Sequence, residues 1–126
     1  MAKTVILSPA APAPIGPYSQ AILSGNMLFV SGQIAIEPAS GNLITANIED
    51  ESHQVMKNIK EVLVAAGYDF SHVVKTTIFL KDMNNFPKVN GVYGSYFTSQ
   101  PPARETVEVS GLPKGVNVEI SCIAVK

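Results

Sequence analysis

Two side chains are the first candidates for chemistry. Arg104 is the only arginine in the chain and follows Pro101-Pro102-Ala103, where the backbone is stiff. A guanidinium fork binds a carboxylate bidentately, so an arginine fixed in this way suits a small organic acid. The plainer reading is a surface arginine in a weak ion pair. Glu119 belongs to a closing strand whose alternation puts Val118, Ile120, Cys122 and Ala124 on one face, and Asn117, Glu119 and Ser121 on the other. If the last two strands pair with Thr106 facing Glu119, Arg104 faces Ser121 and lies diagonal to Glu119, about 7 to 8 Å away, with room for a small ligand between them. A slip of one residue puts Arg104 opposite Cys122 and dissolves the arrangement, and alternation alone does not set that register. An ordinary cross-strand ion pair is the competing reading.

The other reactive residue types read as structural. Cys122 falls in the apolar set of its strand, as a buried, inert thiol does. His53 and His72 have no Cys, Asp or His partner at metal-ligand spacing and no serine nucleophile pattern beside them, and both read as surface residues. Tyr18, Ser31, Asn90 and Tyr93, taken singly, read as packing or turn residues.

These candidates need elements to position them. Lys3 to Leu7 reads as a short strand, and the prolines and glycine of Ser8 to Pro17 enforce an extended surface connector. Ser19 to Leu23 and Met27 to Ser31 form a hairpin about Ser24-Gly25-Asn26. After a loop at Glu37 to Asn42, Asn47 caps a helix with Glu49, Asp50 and Glu51 at its positive end. Its apolar stripe is Ile48, Val55, Met56, Ile59, Val62, Leu63 and Ala66, and Gly67 stops it. Val73 to Lys81 is a β-branched strand, and Phe86, Val89, Tyr93, Tyr96 and Phe97 mark a second helix with Pro87 in its first turn. Arg104 to Val109 and Val116 to Val125 close the chain as strands. The order predicts an α+β fold of one domain over residues 1 to 126, a single mixed sheet with both helices packed on one face.

Composition narrows the function classes. A chain of 126 residues buries one core without disulfides or a structural metal. Charged residues make up only 15%, against about 25% in typical soluble domains, and mean hydropathy is +0.20. Apolar surface must therefore be hidden, and association with further copies of the chain is the usual way. The net charge of −1, with scattered lysines, argues against nucleic acid as the main ligand. Prolines 9, 12 and 14 break any apolar export signal, no segment is suited to span a membrane, and the single cysteine fits a reducing cytoplasm.

Together, Ala13-Pro14-Ile15-Gly16-Pro17-Tyr18-Ser19-Gln20, Ser31-Gly32-Gln33, Val74-Lys75-Thr76-Thr77 and Pro102-Ala103-Arg104 followed by Val118-Glu119-Ile120 resemble the Rid family, also called YjgF-type proteins, over essentially the whole chain. The resemblance implies a fold like bacillus-type chorismate mutase, with a six-stranded mixed sheet backed by two helices. It further implies a homotrimer with ligand clefts between subunits. It implies cofactor-free hydrolysis of 2-iminobutanoate and 2-iminopropanoate, which pyridoxal-phosphate-dependent threonine and serine dehydratases release, to 2-keto acids and ammonia. On this sequence Arg104 would hold the substrate carboxylate, helped by the backbone at Ser31 and Gly32. Glu119 would activate water, and Tyr18, Asn90 and Thr106 would line the cleft. Many relatives carry a small residue and then cysteine where this chain has Glu105 and Thr106. Alternation turns Glu105 away from the Arg104 face, and Thr106 replaces the cysteine sterically. The alternatives are a non-catalytic carboxylate-binding or regulatory protein using the same cleft, and nucleic-acid work of the kind described for some relatives as translation inhibitors or ribonucleases.

Overall fold

The Asn47 side chain accepts a hydrogen bond from the Asp50 amide at 2.8 Å, with three acidic residues in the turn that follows. Capping and dipole therefore start a helix here. This helix, α1 (Ile48–Ala65), buries Val55, Met56, Ile59, Val62 and Leu63. It is released at Gly67, whose φ of +78° a residue with a Cβ rarely adopts. The computed structural model describes residues 2–126. Besides α1 it contains β1 (Lys3–Ile6), β2 (Ala21–Ser24), β3 (Met27–Gln33), β4 (Val73–Leu80), α2 (Phe86–Gly94), β5 (Ala103–Glu108) and β6 (Val118–Val125). The second apolar stripe outlasts its helix: α2 ends at Gly94, yet Tyr96 and Phe97 still pack on the core.

The strands form one six-stranded sheet in the order β1-β2-β3-β6-β4-β5, all pairs antiparallel except β4 with β5. The α+β reading with two helices on one face of a mixed sheet is what the structure shows. The pairing of the last two strands is not. β5 lies at the sheet edge against β4 alone, and β4 separates it from β6. The reason is topological. α2 carries the chain from β4 to β5 as a crossover, which returns it parallel beside β4. β6 then runs antiparallel between β3 and β4, with ladder partners on both sides.

The helices cover the face carrying Leu28, Val30, Ile78, Val118, Ile120, Cys122 and Ala124, all buried. The opposite face is uncovered. Register aligns Val5, Ile22, Phe29 and Ile123 on it in one row, with Met27 beside Val125 and Val107 beside Phe79. Val5, Met27, Phe29 and Val107 are exposed there. Among the described residues, no helix is long and apolar enough to cross a membrane.

Glu51, read from sequence only as a dipole residue, is fully buried. Its carboxylate accepts from the Asn117 amide at 2.7 Å, the Asn117 side chain at 2.8 Å and the Val118 amide at 3.3 Å. It thereby ties α1 to the start of β6. Glu51→Ala strands these donors and should lower unfolding stability by about 3 kcal/mol, with Glu51→Gln losing less, as chemical denaturation would register.

Candidate active site

The site is built on an irregularity in β3. Val30 pairs with Cys122 and Gln33 with Ile120, so Ser31 and Gly32 together oppose Ser121. This bulge re-aims the local backbone toward Glu119, the kind of distortion often found beside active sites. The approach is close: a Cβ built on Gly32 would lie 2.5 Å from Glu119 Oε2 and 2.7 Å from its Cδ. A Cβ at this position would force the Glu119 carboxylate, which lies over Gly32, to move aside. Gly32→Ala should displace the carboxylate and cost about a hundredfold in turnover while the protein stays folded, which paired kinetics and melting curves would show.

Glu119 is half-buried, and burial pushes its carboxyl above the ordinary value. With Ile15, Tyr18, Ser31, Gly32 and Pro113 it lines a concavity of about 300 Å³. The Tyr18 hydroxyl accepts from the Ile15 amide at 3.3 Å, and Ser31 Oγ donates to the Ser19 carbonyl at 2.6 Å. The proline-rich connector that brings Ile15 and Tyr18 here is held by Gln20, whose importance the sequence did not disclose. The buried Gln20 amide accepts from the Ser8 amide at 2.6 Å and donates to the Ser8 and Pro12 carbonyls at 3.1 and 2.8 Å. One side chain so fastens a ten-residue connector that has no ladder of its own.

Arg104 occupies a different place. It pairs in register with Thr76, which pairs with Cys122, so it lies on the helix-covered face, whereas Glu119 lies on the uncovered one. Within the chain the two are on opposite sides of the sheet, two strands (about 10 Å) apart across it and three residues (about 10 Å) apart along it. The diagonal arrangement expected from pairing of the closing strands is therefore corrected: Tyr18, Ser31, Gly32 and Glu119 form one cluster, and Arg104 and Asn90 another.

Asn90 Oδ1 accepts from an Arg104 terminal nitrogen at 2.6 Å. The guanidinium carbon lies 5.0 Å from the centroid of Tyr93 and 5.5 Å from that of Phe86. Among the described residues no carboxylate pairs with Arg104, which removes the surface ion-pair reading. Glu105 points to the other face, as alternation predicts, and pairs with Lys75 at 3.2 Å. Thr106 shares the Arg104 face, and its hydroxyl is buried without a hydrogen-bond partner.

The remaining reactive groups are structural. Cys122 is buried and its thiol is pushed up to about 12 by that burial. It should resist a disulfide reagent such as DTNB in the folded protein and react once denatured. His53 is half-buried rather than a surface residue, with Nδ1 2.8 Å from the Tyr96 hydroxyl. His72 caps a short turn through the Asp69 amide at 3.0 Å.

Comparison with known proteins agrees with this architecture. The family model described as endoribonuclease L-PSP matches residues 8–126. A RutC family protein of Pyrococcus horikoshii is 54% identical over 98% of each chain. Human 2-iminobutanoate/2-iminopropanoate deaminase is 46% identical over 98% of this chain and 90% of its own. A solved structure of a conserved Rid family protein from Yersinia pestis has a TM-score of 0.97 at 51% identity, covering 99% of this chain and 100% of its own. With a family model that matches residues 8–126 and relatives and a solved structure that match over nearly the full length, the chain belongs to the Rid, or YjgF-type, family.

Proposed function

We propose that the protein hydrolyses reactive 2-imino acids, 2-iminobutanoate and 2-iminopropanoate, to 2-keto acids and ammonia, in clefts completed by a neighbouring subunit. The observation that carries this reading is Arg104, a cation held by a neutral amide and two rings with no carboxylate partner among the described residues. Such a group is ready for the carboxylate of a ligand. Glu119, half-buried and with a raised pKa, is suited to take a proton from water near neutral pH.

The chemistry asks little more. Arg104 anchors the substrate carboxylate, with Asn90, Thr106 and the backbone at Ser31 and Gly32 around it, and Tyr18 closes the cleft. Glu119 accepts a proton as water adds to the imine carbon. That proton passes to the imine nitrogen to give a neutral carbinolamine; its hydroxyl proton then moves through Glu119 to the amine as C=O forms and the C–N bond breaks, releasing ammonia and the 2-keto acid. An imine is already electrophilic, so orientation and proton handling supply the acceleration.

Because the two clusters lie on opposite sheet faces, one substrate spans them only if Arg104 of one subunit meets Glu119 of another. The uncovered apolar face supports such an assembly, and a chorismate-mutase-like trimer with three equivalent clefts satisfies it. In the direct test, purified protein is added to a threonine dehydratase reaction and the decay of 2-iminobutanoate is followed. Acceleration is expected. Binding of 2-oxobutanoate without acceleration would replace the enzyme with a carboxylate-binding regulator.

A further inference from the structure

α2 presents Phe86, Asn90 and Tyr93 at intervals of four and three residues, hence on one side of the helix. All three meet Arg104. The rings of Phe86 and Tyr93 lie 5.5 and 5.0 Å from its guanidinium carbon, and Asn90 accepts at 2.6 Å. Tyr93 is itself held: it is buried, and its hydroxyl lies 2.7 Å from Thr76 Oγ1. Thr76 is the residue of β4 directly beside Arg104 in register. Ring, tether and arginine thus form a closed set of contacts between one helix and two adjacent strands.

The choice of groups matters. A carboxylate would fix the guanidinium equally well but would occupy its in-plane N–H groups and cancel its charge, in competition with any acidic ligand. An aromatic face attracts the cation through its quadrupole while leaving those N–H groups free. Asn90 takes one donor of the five and adds no charge.

We propose that Phe86 and Tyr93 are positioning residues for Arg104: they fix the guanidinium before substrate arrives, so that the carboxylate meets an oriented fork. This role rests on the imino-acid reading of the site and deepens it. Neither ring need touch the reacting atoms.

A double-mutant cycle tests the proposal, with kcat/KM for 2-iminobutanoate and the Kd of 2-oxobutanoate measured on the intact protein. Phe86→Leu should lower kcat/KM about tenfold, chiefly through KM, and weaken 2-oxobutanoate binding similarly, while Phe86→Tyr keeps most of both. Thr76→Val, which frees the Tyr93 hydroxyl with little change of volume, should lower kcat/KM about threefold. In an Arg104→Ala background neither substitution should have a further effect, because the group they orient is gone. Equal losses with and without Arg104 would mark the rings as ordinary core and overturn the positioning role alone, as would an unchanged KM in Phe86→Leu. A wild-type protein that neither turns over 2-iminobutanoate nor binds 2-oxobutanoate would overturn the functional reading and this role together.

Discussion

Arg104→Ala is expected to lower kcat/KM for 2-iminobutanoate by about a hundred- to a thousandfold, the usual consequence of removing one partner of a desolvated charge pair. Arg104→Lys should recover little of it, because an ammonium has neither the planar fork for a carboxylate nor the shape that stacks on Phe86 and Tyr93. The fold should be nearly indifferent. Arg104 has no carboxylate partner among the described residues, so its removal strands no buried charge, and the melting temperature should move by only a few degrees. A large kinetic loss with an intact fold separates a ligand-binding arginine from a structural one.

Glu119→Gln has the second large effect, in the other kinetic parameter. Loss of the proposed general base should lower kcat by about a hundredfold to ten-thousandfold while KM changes little, because the proposed carboxylate anchor, Arg104, is untouched. The pH profile carries the same information. Burial raises the Glu119 pKa, so the base becomes protonated and inactive as pH falls through a value above that of a free glutamate. The wild-type profile should therefore show an acid limb displaced upward from the ordinary carboxylate range, and Glu119→Gln should lack it. The stability sign runs opposite to that of a salt-bridged carboxylate. A raised folded-state pKa means that the ionised form is the less stable one in the folded protein. Neutral glutamine removes that penalty above the pKa, so Glu119→Gln should melt no lower than wild type, which melting curves run beside the kinetics would show.

Much of this was legible in the sequence, for local reasons. Asn47, the acidic turn after it, the stripe from Ile48 to Ala66 and the stop at Gly67 are signals within one turn of the residues they affect, and α1 forms where they say. Alternation likewise put Glu119 and Cys122 on opposite faces of β6 and turned Glu105 away from Arg104. Strand neighbourhood is different in kind. The alternation of the last two strands reads the same whether they touch or are separated by β4, and only the crossover through α2 separates them. With that pairing went the idea that the single chain brings Arg104 and Glu119 side by side.

The polar residues whose partners are distant in sequence were the least legible. Glu51 has a sufficient local explanation at a helix start, which hides its bonds to Asn117 and Val118 more than sixty residues away. Gln20 looks like one polar residue entering a strand, and nothing nearby marks it as the clasp of the connector at Ser8 and Pro12. Tyr93 fits a helical apolar stripe, and its contact with Arg104 exists only once α2 lies against β5.

Mixing two inactive variants tests the proposed deaminase site shared between subunits. Arg104→Ala and Glu119→Gln proteins are unfolded together in equal amounts, refolded, and assayed for 2-iminobutanoate hydrolysis beside each variant refolded alone. In the proposed trimer, random mixing leaves whole each cleft that joins an Arg104-bearing subunit to a Glu119-bearing neighbour, so about a quarter of wild-type turnover should return. A mixture no more active than its parents, although wild type survives the same refolding with its activity, would contradict a shared site.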